Sequence, residues 1–150
     1  MLTAKDIMTR QVITVTPELS VQELATLLLT HKIGGAPVVD AAGKLLGVVT
    51  ESDLIDQGKN VHIPTVVSIL DAFLVLERPN RMDQEFKKMV GRTVGDICAK
   101  EMVTVTEETP VSDIATIMSE RRMHTLPVVA AGELVGVIGK TDLIRSITLG

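Results

Sequence analysis

Two tetrads hold the residue types best suited to recognising a small molecule: Thr50-Glu51-Ser52-Asp53 and Gly139-Lys140-Thr141-Asp142. Each sits where an apolar strand pattern gives way to a short helix. An ionised aspartate offers two acceptor oxygens, which suit the paired hydroxyl donors of a diol. A helix start presents unpaired N–H groups and a partial positive charge, which favour phosphate. A small hydroxyl there adds a contact without crowding. A plainer role stands beside this one. Thr50 or Ser52 caps its helix with Asp53 in the first turn, and Thr141 with Asp142 does the same. The two roles are compatible.

Catalysis finds no support in the remaining residues. His31, His62 and His124 fall in different elements, so no nucleophile, base and orienting group come together. Cys98 follows the Asp96-Ile97 turn and reads as a small buried apolar residue. A single cysteine makes neither an internal disulfide nor a Cys-based zinc site. His-x-x-x-His, Cys-x-x-Cys and acidic calcium loops are absent, so no metal is expected. Gly34-Gly35 reads as a helix stop and not a phosphate loop, since no Gly-Lys-Ser/Thr follows. The expectation is a protein without enzymatic activity.

Composition narrows the field further. Apolar residues make up 45 % and charged residues 23 % of 150, the range of an ordered globular chain. Aromatics are 1 %, so Val, Ile, Leu, Met and Ala must fill the core. A net charge of −4 without a Lys/Arg run, and without Trp or Tyr to stack on bases, argues against nucleic acid. The longest apolar run, residues 66–76, carries Ser68 and Asp71 and is too short to span a bilayer. Residues 1–10 alternate polar and apolar types, unlike a leader. A cytoplasmic location is the expectation, with no membrane partner.

The elements that position the tetrads come from an internal duplication. Residues 3–55 align with 93–144 if one residue near Ala42 is skipped, giving 21 identities over 52 pairs. Chance would give about 3 or 4 at average composition. Each copy predicts the order β-α-β-β-α. Short strands are expected at 12–15 and 102–105, followed by turns with Pro17 and Pro110. Val21, Leu24, Leu27 and Leu28 recur at helical spacing, as do Val111, Ile114, Ile117 and Met118. Ser20 with Glu23 reads as a capping box. Strands follow at 36–39 and 45–49, then at 126–129 and 134–138, with hairpin turns at 40–43 and 131–132. The fold class is α/β (α+β): repeat one at 1–57, a helical connecting segment at 58–92, and repeat two at 93–150. A unit of about 50 residues buries too little surface alone, so the two should pack together. The connecting segment predicts a helix from Pro64 to about 76 and a charged one near 82–90. It serves either as intramolecular core or as a dimer contact.

A tandem β-α-β-β-α unit with Pro-Val-Val on one strand (Pro37-Val38-Val39; Pro127-Val128-Val129) and Gly-Val-Val-Thr-Glu-Ser-Asp closing the next (residues 47–53) resembles the CBS (cystathionine β-synthase) domain family. The resemblance covers about 105 of the 150 residues. It implies a Bateman module: two repeats in pseudo-twofold packing, with clefts that bind adenosine-type ligands such as AMP, ADP, ATP or S-adenosylmethionine, and no obligatory cofactor. The implied roles are ribose contact for Asp53 and Asp142, and phosphate contact for Thr50, Ser52 and Thr141. Gly139 stands where the family has Ser or Thr, which sets the second site apart. Adenine is expected against Ile13, Thr14, Ala36 and Pro37 in copy one, and against Val103, Thr104, Leu126 and Pro127 in copy two. His124 is placed for phosphate by analogy with nucleotide-binding relatives, with Arg121 and Arg122 nearby; Gly34 is its counterpart in copy one. A homodimer and an unidentified regulated protein complete the expectation. The rival reading is a ligand-free interaction module acting through the connecting helices.

Overall fold

The computed structural model describes residues 1–58 and 92–149, so the connecting helices expected at 64–76 and 82–90 lie outside the described residues. The elements are α1 (Ala4–Ile7), α2 (Val21–His31), β1 (Gly35–Val39), β2 (Leu45–Thr50) and α3 (Glu51–Gly58), then α4 (Val94–Ile97), β3 (Val105–Thr106), α5 (Val111–Arg121), β4 (Thr125–Ala130), β5 (Glu133–Gly139) and α6 (Lys140–Ser146). The second set repeats the first, as the duplication predicts. No described helix is long and apolar enough to cross a membrane.

Local chemistry explains most element boundaries. Ser20 accepts a hydrogen bond from the Glu23 N–H at 3.0 Å, which opens α2. The hairpin between β1 and β2 turns on Asp40, whose Oδ1 accepts from the Ala42 and Lys44 amides at 2.9 and 2.8 Å. The shorter hairpin between β4 and β5 places Ala131 and Gly132 at φ 53° and 79°, both positive as a two-residue turn requires. Two expectations need correction. The first strands are shorter than 12–15 and 102–105: only Val15, bridging Val38, and Val105–Thr106, pairing with β4, join a sheet. The preceding residues, among them Ile13, Met102 and Val103, line a cleft and have no ladder partner. Gly34-Gly35 does not end α2. Lys32 does, in the left-handed conformation at φ 55°, and Arg122 ends α5 in the same way at φ 54°.

Both hairpins are antiparallel, with equivalent registers and a bulge at Val38/Val39 and at Val128/Val129. Their inner faces, with α2 and α5, form two cores. One gathers Val15, Val21, Leu24, Leu28, Ala36, Val38 and Val49; the other gathers Val105, Ile114, Met118, Leu126, Val128 and Ile138.

The one-turn helices are exchanged between the halves. Ala4 and Ile7 of α1, with Met8, pack into the second core, while Val94 and Ile97 of α4 pack into the first. Backbone bonds fix the exchange. The Ala4 N–H donates to the Thr109 carbonyl at 2.8 Å, and the Val94 N–H donates to the Leu19 carbonyl at 2.8 Å. Beyond each turn the chain adds a bridge to the last strand of the opposite repeat: Thr9 to Val137 at 2.8 and 3.0 Å, and Ala99 to Val48 at 3.1 Å in both directions. Each turn is itself nucleated by an aspartate. Asp6 accepts from the Thr3 N–H, and Asp96 from the Thr93 N–H, both at 2.8 Å. These backbone bonds hold both carboxyls below the ordinary aspartate value.

Candidate functional site

An open cleft of about 710 Å³ runs between the halves and is lined from both. It receives the residues before β1 and β4, the junctions from β2 into α3 and from β5 into α6, and the chain at 9–13 and 99–103. Of the residues singled out from sequence, Ile13, Pro37, Thr50, Ser52, Asp53, Val103, His124, Thr141 and Asp142 line it. Ala36 and Leu126 lie wholly inside the two cores, and Pro127 is fully buried on β4. Thr14 and Thr104 are exposed and outside the lining.

At both helix starts the aspartate, and not a hydroxyl of Thr50, Ser52 or Thr141 as expected, accepts the capping hydrogen bond. Asp53 Oδ2 accepts from the Thr50 N–H at 2.8 Å and from its hydroxyl at 3.3 Å. Asp142 Oδ2 accepts from the Gly139 N–H at 2.9 Å. The first amide of α3 is also spent, since the Glu51 N–H donates to the Gly34 carbonyl at 2.9 Å.

Beyond the cap the two sites diverge. Asp142 is buried and its carboxylate is crowded with donors: the Thr9 hydroxyl lies 3.2 and 3.3 Å from its two oxygens, and Arg145 Nη1 lies 3.2 Å from Oδ1. Asp53 is half-buried, and among the described residues no donor meets its Oδ1. Burial pushes the Asp53 pKa up from the ordinary 3.8; the Thr50 bonds oppose this, and the neighbouring charge of Asp56 adds to it.

This shift has a sign that can be checked. The folded protein holds the Asp53 proton more tightly than the unfolded chain does. Its contribution to folding is therefore present below pH 3.8 and lost as pH rises through the raised folded value. Asp53→Asn keeps a carbonyl oxygen for the Thr50 amide and removes the charge. Without ligand, this variant is expected to melt above the wild type at pH 7, with the gap closing as pH falls toward 4. Equal melting temperatures at pH 7 would remove the case for an uncompensated carboxylate.

Cys98 caps α4 and packs against the first core, but it is partly buried and not the fully buried residue expected. Burial raises its thiol pKa, with Lys100 opposing. Slow alkylation by iodoacetamide at pH 7.5 is expected in the native state, with fast labelling in denaturant. Rapid native labelling would contradict this packing.

Sequence reasoning missed several cleft residues. Thr9, Lys32, Glu51, Glu101 and Lys140 all line it. Lys32 and Arg122 are equivalent in the two copies, and both end the long helix in the same left-handed turn. Their alignment was available as a signal, but only the exchange of α1 and α4 brings Thr9 to Asp142. Among the described residues no group of three or more His, Cys, Asp or Glu could hold a metal.

Comparison with known proteins agrees with this architecture. The family model for the CBS domain matches residues 4–60 and 94–149. The chain is 32 % identical over 141 residues to the chloroplastic CBS domain-containing protein CBSX1 of Arabidopsis thaliana, covering 88 % of this chain and 57 % of that protein. It thus spans little more than half the length of that relative. The crystal structure of CBSX2 in complex with AMP superposes with a TM-score of 0.73 at 27 % identity, covering 99 % of this chain and 98 % of that one. The CBS domain pair of protein MJ0100, in complex with 5′-methylthioadenosine and S-adenosyl-L-methionine, superposes with a TM-score of 0.70 at 25 % identity, covering 99 % and 97 %.

Proposed function

The chain belongs to the CBS domain family, and on that premise we propose that it is a regulatory module whose cleft binds an adenosine-containing ligand, one of AMP, ADP, ATP or S-adenosylmethionine. The observation that carries this reading is Asp53: a half-buried carboxylate on the cleft wall, with one oxygen met by no described donor. That oxygen is free to accept a hydrogen bond, and a diol from the ligand would supply the donors. Thr50 and Ser52 stand beside it on the same wall. Similar CBS pairs are described with AMP and with S-adenosyl-L-methionine bound, which supports the ligand class.

A ligand touching both halves favours whichever relative arrangement it fits better, and it regulates only through that difference in affinity. Thermal shift with AMP, ADP, ATP and S-adenosylmethionine tests the reading. At 100 times its dissociation constant, a true ligand is expected to stabilise the fold by about 2.7 kcal/mol. That corresponds to a rise of about 5–10 °C for a chain of this size. A flat response to every compound, confirmed by calorimetry, would favour the interaction module.

A second copy of the chain is the proposed protein partner. Ile55 on α3 and its repeat equivalent Ile144 on α6 are 43 % and 62 % exposed, and Ile147 and Leu149 extend the second apolar edge. Sedimentation at about 100 μM, where obligate dimers remain associated, is expected to show a dimer. A monomer there would count against self-association.

A further inference from the structure

We propose that the cleft takes one anionic nucleotide in one orientation, its ribose diol on Asp53 and its phosphate toward Arg122, His124 and Lys140, and that Asp142 is a structural clamp and not a second diol site. The proposal rests on the nucleotide-binding reading above and goes further, because that reading fixes neither the number of ligands nor their direction in the cleft.

The duplication supplies its own control, since each wall of the cleft can be compared with its counterpart. Thr9 bridges Val137 and bonds Asp142; Ala99 bridges Val48 at the equivalent place and has no hydroxyl to offer Asp53. Arg145 lies three residues beyond Asp142 and pairs with it; Asp56 holds the same position after Asp53 and repels it. Two substitutions between the copies thus close one carboxylate and open the other. Asp142 accepts from a backbone amide, a hydroxyl and a guanidinium, so a diol would have to displace donors already in place. At Asp53 the ligand completes an unfinished set.

Charge on the two walls sets the direction. Repeat two contributes Arg122, His124 and Lys140, none of which is paired with a carboxylate in the described structure; Arg145 is engaged by Asp142. At the equivalent positions repeat one has Lys32, Gly34 and Glu51. Glu101, next to the bridge at Ala99, adds a further negative group on the lining. A phosphate is therefore favoured toward repeat two and disfavoured beside Asp53, Glu51 and Glu101. S-adenosylmethionine, with its sulfonium, is a poorer match to that cationic wall than a phosphate ester.

Calorimetry on the whole chain with AMP, 2′-deoxy-AMP, 5′-methylthioadenosine and S-adenosylmethionine reads every part of this assignment. One AMP per chain is expected, with 2′-deoxy-AMP and S-adenosylmethionine each weaker by about tenfold or more, and AMP affinity falling with salt. Lys140→Glu changes an exposed residue and is expected to cost about tenfold for AMP while leaving uncharged 5′-methylthioadenosine within about twofold. The double variant Asp56→Arg with Ala99→Thr copies the clamp onto Asp53 and is expected to weaken AMP by about tenfold at an unreduced melting temperature. Two equivalent AMP molecules per chain would overturn the proposal while leaving the nucleotide reading intact. So would equal AMP loss and 5′-methylthioadenosine loss in Lys140→Glu. Silence toward all four compounds would sink the underlying reading instead.

Discussion

Asp53→Ala is expected to weaken AMP binding by about 30- to 150-fold, the loss of one strong and one shared hydrogen bond to a charged acceptor at about 2–3 kcal/mol in total. The free oxygen of Asp53 is the strong acceptor; Oδ2 already serves the Thr50 amide and hydroxyl and can share only a remaining lone pair. The substitution also removes the acceptor for that amide, a cap worth about 1 kcal/mol, so a lower melting temperature must be separated from the loss of binding. Asp53→Asn makes the separation. It keeps an acceptor for Thr50, is expected to fold at least as stably as the wild type, and still loses the charge that strengthens the diol contact. Calorimetry on both variants checks the argument. Affinity within threefold of wild type in each would mean that the diol does not meet this carboxylate.

Gly47→Ala is expected to cost about 2–3 kcal/mol, while Gly136→Ala at the equivalent position costs about 1 kcal/mol or less. A methyl group at Gly47 would collide with the carbonyl oxygen of Ala99, a backbone atom held to Val48 by two hydrogen bonds of 3.1 Å. It has nowhere to go without breaking the bridge. At Gly136 the methyl would come within 2.5 Å of Met8 Sδ and 3.2 Å of the Thr9 carbonyl oxygen. The thioether is the flexible end of an unbranched side chain and can swing aside. Melting temperatures should therefore fall by roughly 5–10 °C for the first variant and by less than half as much for the second. Equal losses would mean that the bridges yield equally and that the backbone contact at Ala99 is not the rigid one.

Much of this molecule was legible in its sequence because the responsible signals are local. The hairpin turns at Asp40 and Ala131-Gly132 and the Ser20 cap rest on residues within a few positions of one another, and the duplication on identities between matched positions. The placement of Asp53 and Asp142 at helix starts is local too. What escaped was set by contacts across about ninety residues. Nothing in the pattern of residues 3–9 says that Ala4 and Ile7 complete the core of the other repeat, because an apolar one-turn helix fits either half by composition. Lys32 takes a left-handed turn that glycine prefers, so the sequence points instead to the glycine pair beyond it as the stop. Gly35 is instead needed for close packing: a Cβ there would stand 2.6 Å from Thr125 Oγ1. The difference between the two aspartates was hidden for the same reason. The tetrads share only their aspartate; the residues that close one carboxylate and open the other, Thr9 against Ala99 and Arg145 against Asp56, lie outside the motif.

The traded one-turn helices make the two repeats hostages to each other. Severing the chain into its two sequence copies would hand each fragment the wrong plug: repeat one would keep the turn built for its sister's interior and lack the one that seals its own. Neither fragment has a finished interior alone, and only a mixture of both could restore the pair. A molecule tied in this way resists the parting of its halves.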